Sequence, residues 1–328
     1  MFQTDLILWL QTGMPEWMLP LMLRVSALGA DGIYTPVILA LIFAYRVRPG
    51  LRVLLALLLA GFLVNAAKVG FALPRPVDVD GRLLRKGEEN TAIVAQGAAS
   101  TFWALPPAHA VQAVRAAASD SYGFVSGHTA LAAATTISTV LAFGLRSRLV
   151  WSLALAWPML MGFSRLYLGR HFPADVLGGL LAAALALLLT HWLLGSSEHD
   201  CSPRRRVDGA LIVTLVLAAA SPVVPWLSAG ALGSIAGVLL CIRVLARTGA
   251  PLETSRHWHR LSRFTLALGL GLLVGWITDG AYAALALPDR HVAAFVVAAL
   301  GYTVALLGAM VLARALGWYV RSPAPSGR

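Results

Sequence analysis

The chain has 328 residues, of which 58% are hydrophobic and 12% charged, about half the charged fraction of an ordinary water-exposed domain. That balance, with repeated apolar runs close to the ~20 residues a helix needs to cross a bilayer, excludes a soluble domain and implies a polytopic membrane protein. A net charge of +11 would suit nucleic acid in a soluble protein; here the placement of the basic residues carries the information, and no nucleic-acid partner is expected.

The first stretch, residues 5–28, is interrupted by Pro15, Glu16, Pro20 and Arg24, which suits an interfacial amphipathic helix better than a span. It starts with an acid and lacks a small-residue cleavage site, so a cleavable signal peptide is not expected. Nine apolar runs follow, at about 32–46, 52–72, 127–145, 150–167, 175–194, 209–227, 230–246, 264–286 and 292–316. The expected fold is therefore all-α, a transmembrane helical bundle of about nine spans plus the N-terminal amphipathic helix.

Arginines set the orientation. Arg46, Arg48 and Arg52 separate the first two runs, Arg146 and Arg148 the third and fourth, and Arg204, Arg205 and Arg206 follow the fifth. Arg247, Arg256, Arg260 and Arg263 fill the connection before the eighth, and Arg314, Arg321 and Arg328 close the chain. Every second connection is basic and should be cytoplasmic, which turns the 73–126 loop, the 164–175 turn, the Ser228 region and the Pro288–His291 turn outward. The 73–126 loop has a charged first part and an Ala-rich part, about 91–118, that could form a surface helix; a substrate lid and a solvated connector are both open. Residues 195–207 form a polar break between an expected catalytic region, 1–200, and four further helices, 201–320; the tail 321–328 should be disordered. Cys201 and Cys241 are too few for a disulfide framework or a cysteine metal site.

Ionisable groups at the ends of apolar runs are costly and need a reason. Three clusters fall on the outward face: Lys68 with Arg75 and Pro76; Ser126, Gly127 and His128; and Ser164, Arg165, His171 and Asp175. Lys68, Arg75 and Arg165 supply three cations, two of them guanidiniums able to grip phosphate oxygens bidentately. Ser126 is placed to cap a helix with free N–H groups from Gly127 on, and Pro173 suits the first turn of the next, so two helix N-termini border the same site. Asp175, four residues after His171, can hold that imidazole in one tautomer, and His128 is then free to protonate a leaving alkoxide. No acidic cluster for magnesium accompanies them, and no cofactor is expected.

The segments KVGFALPRP (68–76), YGFVSGHT (122–129) and SRLYLGRHFPAD (164–175) resemble the three-part signature of the type 2 phosphatidic acid phosphatase superfamily. The resemblance covers about residues 20–195. It implies that His171 attacks phosphorus and becomes a phosphohistidine, with Asp175 activating it and His128 as the acid. Lys68, Arg75, Ser126, Gly127 and Arg165 would bind phosphate. The family usually has proline before Ser-Gly-His, where this chain has Val125. Activity would be metal-independent hydrolysis of a lipid phosphate monoester or pyrophosphate taken from the bilayer, in a bacterial inner membrane with the site facing the periplasm. A lipid phosphotransferase and a phosphate- or lipid-binding transporter are the alternatives; Asp279 would serve the latter. A haloperoxidase would hold vanadate in the same pocket, but those relatives lack spans. His257 and His259 belong to a basic loop suited to anionic headgroups. Trp9, Trp17, Trp151, Trp226 and Trp318 lie near run ends, as interfacial belts require. His171→Ala is expected to abolish turnover and leave the fold intact, because an imidazole in an outer turn buries little apolar area.

Overall fold

Backbone N–H and C=O groups in hydrocarbon find no water to bond, so apolar runs of this length satisfy them as helices. The computed structural model describes residues 1–29, 31–88, 94–117, 122–195, 203–254 and 256–320. In chain order the helices are α1 (Asp5–Gly13), α2 (Met18–Leu28), α3 (Asp31–Leu39), α4 (Val47–Phe71), α5 (Pro76–Val79), α6 (Ala108–Ala116) and α7 (Gly127–Ala142). Then come α8 (Arg148–Tyr167), α9 (Pro173–Leu194), α10 (Pro203–Ala220), α11 (Ala229–Thr248), α12 (His257–Ala284) and α13 (Val292–Ala315). A π-helical segment, Ala40–Tyr45, continues α3 beyond Pro36.

Among the described residues, six helices are long and apolar enough to cross a membrane, which makes this an integral membrane protein. They are α4 with its extension to Val79, α8, α9, α11, α12 and α13. A seventh span requires Met18–Leu28 and Gly32–Tyr45 to act as one segment bent by 53°. The nine expected runs therefore form helices without all reaching the dimensions of a span. Helix α7 has 16 residues, about 24 Å at 1.5 Å per residue and short of the ~30 Å core. Helix α10 begins on Arg204, Arg205, Arg206 and Asp208, and its apolar part is correspondingly shorter. The N-terminal stretch is two helices rather than one, broken at 14–17, and both pack on α8 through Leu10, Met22 and Val25. Among the described residues, the surface helix expected over 91–118 is confined to α6. The tail 321–328 lies outside the described residues.

The chain divides into two compact units. Unit 1 comprises Met1–Ile33, Ala60–Val140 and Leu145–Ala186; unit 2 comprises Tyr34–Leu59, Leu141–Gly144 and Leu187–Arg328. In unit 1 the start of the 73–126 loop is part of the core rather than a solvated connector: Leu73, Val77, Val79 and Leu83 are buried with Phe2, Ile7 and Phe172. The next turn of that loop is tied down by polar bonds. Gln11 Nε2 donates to Leu84 O (2.7 Å), Leu84 N donates to Gln11 Oε1 (3.0 Å), and Lys86 Nζ donates to Gln11 O and Tyr167 Oη (3.1 Å each). Gly169 allows this approach: its φ is +73°, and a Cβ there would lie 2.5 Å from Leu84 O.

In unit 2, α11 and α13 pack closely across Gly233 and Gly237, where an added Cβ would lie 2.3 Å from Phe295 O and 2.6 Å from Ala299 O. Two arginines expected in loops, Arg52 and Arg263, serve as internal ties. Arg52 lies inside α4 and donates to Leu194 O and Gly195 O at the C-terminus of α9, where a cation is favoured. Arg263 lies inside α12, fully buried, donating to Phe43 O (2.8 Å) and Trp318 O (3.1 Å) with its guanidinium over the Tyr319 ring. Arg243 of α11 pairs with Asp208 of α10 through two nitrogens. The antiparallel pair Leu252–Glu253 and Tyr319–Val320 closes the same end of the unit. Asp279 is exposed on α12, as are Trp9, Trp17 and Trp226 in their segments.

Candidate active site

Unit 1 brings the three motifs together. Lys68 lies in the last turn of α4. Arg75 immediately precedes α5 and is fixed by Asp78, whose Oδ2 accepts the Arg75 backbone N–H (2.8 Å). Ser126 immediately precedes α7, so Gly127 and His128 are its first residues. Arg165 is in the last turn of α8, and His171 sits in the turn before α9, which starts at Pro173 as the sequence implied.

The decisive tie between motifs is a backbone bond: Ser126 N donates to Asp175 O (2.8 Å). It binds the loop before α7 to the first turn of α9, and two glycines make it possible. A Cβ at Gly179 would lie 2.5 Å from Ser126 O, and one at Gly178 would meet Val125 Cγ1 at 2.5 Å. Val125 itself is buried, and the Phe124–Val125 peptide bond is cis. The Ser126 hydroxyl is 3.0 Å from the Thr129 hydroxyl, which orients it.

His171 Nδ1 lies 3.2 Å from Asp175 Oδ2, and the same oxygen accepts the Phe172 N–H (2.8 Å). Asp175 is fully buried, and its Oδ2 already accepts the Phe172 N–H; as a carboxylate it would place the imidazole proton on Nδ1 and the ring's lone pair on Nε2. Burial, followed by the positive charges of Arg165, Arg75 and Lys68, holds the His171 pKa well below its ordinary 6.5. The ring is therefore neutral at pH 7, the state a nitrogen nucleophile requires. His128 also lies close enough to act on the charge of His171, and Arg165, Lys68 and Arg75 act on His128 in turn. All eight residues singled out from the sequence are thus in one neighbourhood. One expectation needs correction: His171 is only 2% exposed, so its removal empties a buried position and strips Asp175 of a donor.

Sequence reasoning missed the supports. Arg165 is 4% exposed, and its Nη1 donates to Ser26 Oγ (2.6 Å) on α2, a residue 139 positions away with no motif around it. Its Nε is buried with no protein partner among the described residues, leaving a donor for a ligand. Gly29, just past α2, keeps room for the site; a Cβ there would meet His128 Cδ2 at 2.9 Å. Arg170, beside His171, pairs with Glu88 of the long loop, and Glu88 pairs with Arg85 (2.7 Å). Among the described residues, no three His, Cys, Asp or Glu side chains converge as metal ligands.

Residues 49–198 match the model of the PAP2 superfamily, a stretch just under half of the chain that contains all three motifs. This segment is a PAP2 superfamily domain. Members of this superfamily are phosphatases, so the match implies phosphoryl hydrolysis as the class of chemistry. No curated protein and no solved structure matches the chain. Ser26, Gly29 and Gln11, which support the PAP2 site, lie before the matched stretch.

Proposed function

We propose that the protein hydrolyses a lipid phosphate monoester or pyrophosphate at the outer face of a bacterial inner membrane, without metal and through a phosphohistidine. The observation that carries this reading is the buried His171–Asp175 pair with Nε2 open among three cations. Lys68, Arg75, Arg165, the Ser126 hydroxyl and the Gly127 N–H hold the phosphoryl oxygens and stabilise the charge that develops on them. His171 Nε2 attacks phosphorus as the bond to the leaving oxygen breaks, and His128, protonated once the bound phosphoryl anion offsets the cations that otherwise depress its pKa, gives that oxygen a proton. Water, losing its proton to His128, then cleaves the N–P bond, releasing phosphate and restoring both histidines.

A lipid substrate is supported by an apolar cavity of about 530 Å³ in unit 1, lined by Phe2, Phe71, Leu73 and Phe124. Leu73 and Phe124 stand two residues before Arg75 and Ser126, so an apolar chain lodged there ends beside the cations. Outward orientation is supported by the arginine-rich alternate connections. Catalysis is assigned to residues 1–200, and the helices of 201–320 are additional to it. The test is phosphate release from phosphatidate in mixed micelles containing EDTA, with vanadate as inhibitor. Turnover in EDTA, inhibition by vanadate and loss of activity in His171→Ala are expected; an obligatory metal, or activity retained by His171→Ala, overturns the proposal.

A further inference from the structure

Helix α12 carries glycines at 271 and 275, one turn apart, and a glycine inside a helix costs about 1 kcal/mol relative to alanine. On α11 the glycines are explained by the close approach of α13. On α12 no such neighbour exists: a Cβ at Gly275 would meet nothing within 4 Å, and one at Gly271 only a methyl of Leu39 at 3.7 Å. Both glycines border a cavity of about 510 Å³ lying wholly within unit 2. Along α12 it extends from Leu268 to Tyr282, about 21 Å and most of the ~30 Å hydrocarbon depth.

The polar side chains gather toward one end, and their protons are already committed. Ser234 Oγ donates to Gly230 O (3.0 Å), Thr278 Oγ1 to Gly275 O (2.8 Å) and Tyr282 Oη to Ala294 O (2.9 Å). Asp289 completes the end: a Cβ at Gly230 would meet both Asp289 Oδ1 (2.6 Å) and Tyr282 Oη (3.1 Å), so this glycine lets the two oxygens converge. Ser234, Thr278, Tyr282 and Asp289 therefore offer lone pairs at this end; Thr35 and Tyr302, the latter hydrogen-bonded to Ser234, complete the polar lining. A phosphate headgroup, which is anionic and accepts hydrogen bonds, is repelled there, whereas a hydroxyl brings the one donor that is needed.

We infer that unit 2 holds a binding site for a lipid alcohol, with one apolar chain along Gly271 and Gly275 and its hydroxyl donating at Asp289 and Tyr282. An amine headgroup would also donate, but amines on common membrane lipids arrive attached to a phosphate, which this end repels. The ligand class is that of the product under the proposed function, yet the inference rests on the cavity and not on that activity.

The experiment uses the full chain in phosphatidylcholine nanodiscs with a diacylglycerol bearing a photoreactive acyl chain, followed by peptide mapping. Labelling within residues 268–306 is expected, displaced by dioleoylglycerol and not by dioleoylphosphatidate. Gly275→Leu, whose side chain enters open space, should cut labelling about tenfold, and Gly271→Leu should act likewise. Asp289→Lys should turn the preference toward phosphatidate, a readout that mere unfolding does not produce. Labelling undiminished in both glycine variants, equal displacement by phosphatidate, or stronger displacement by sphingosine overturns the inference. Labelling is read without turnover and repeated in His171→Ala, so failure of the phosphatase reading and failure of this site are separate results.

Discussion

Asp175→Asn isolates the charge of the orienting carboxylate. In the native site Oδ2 accepts from both His171 Nδ1 and Phe172 N, while Oδ1 is buried without a partner among the described residues. Asparagine can put its oxygen in the place of Oδ2 and its amide nitrogen in the place of Oδ1, so shape and tautomer are preserved. What is lost is the anionic partner, 3.2 Å away, of a ring that becomes cationic as Nε2 bonds phosphorus; the variant offers only a neutral amide there. Two unit charges at that separation attract by about 5 kcal/mol at an effective dielectric of ~20, equivalent to three to four decades in rate at ~1.36 kcal/mol per decade. The neutral ground-state imidazole feels little of this, so kcat and kcat/KM should fall together with KM nearly unchanged. The assay is steady-state phosphate release from phosphatidate in mixed micelles, with Tm measured alongside. A kcat within tenfold of the parent at unchanged Tm, or a loss confined to KM, refutes the reasoning.

Ser26→Ala removes the acceptor of a buried, charge-assisted hydrogen bond to Arg165. Such a bond is worth about 1.5–3 kcal/mol, so vanadate inhibition should weaken by about ten- to a hundredfold and recover in Ser26→Thr; unchanged inhibition rejects Ser26 as the holder of Arg165. The pH dependence of stability follows from His171, whose folded pKa lies well below its ordinary 6.5. Below about 6.5 the unfolded chain takes up a proton that the folded site refuses, so stability falls as pH drops from 7.5 to 5. His171→Gln should flatten that part of the Tm profile, and an equal slope in both proteins rejects the assignment.

The reactive groups were legible because their chemistry is local in type: histidine, carboxylate and cations at fixed spacings, each an unusual residue at the end of an apolar run. His171 and Asp175 could be paired from an i, i+4 interval alone, and Pro173 announced the start of α9. Ser26 could not be read this way. A serine in a short apolar helix has no distinguishing neighbour, and its function arises only because α2 packs on α8 beside Arg165. Arg52 and Arg263 counted as loop charges because an arginine near a run end looks the same whether water or a buried carbonyl takes its protons.

Composition and charge spacing therefore determined that the chain forms membrane-spanning helices, and motif spacing singled out the side chains that the structure gathers into one neighbourhood. The tertiary structure alone decided which helices reach the dimensions of a span, and that Ser126 N closes on Asp175 O. It also decided that α12 leaves its glycines facing space. Each of these depends on how closely two backbones approach, and that distance is set by residues distant in sequence, acting through volume rather than through chemical type.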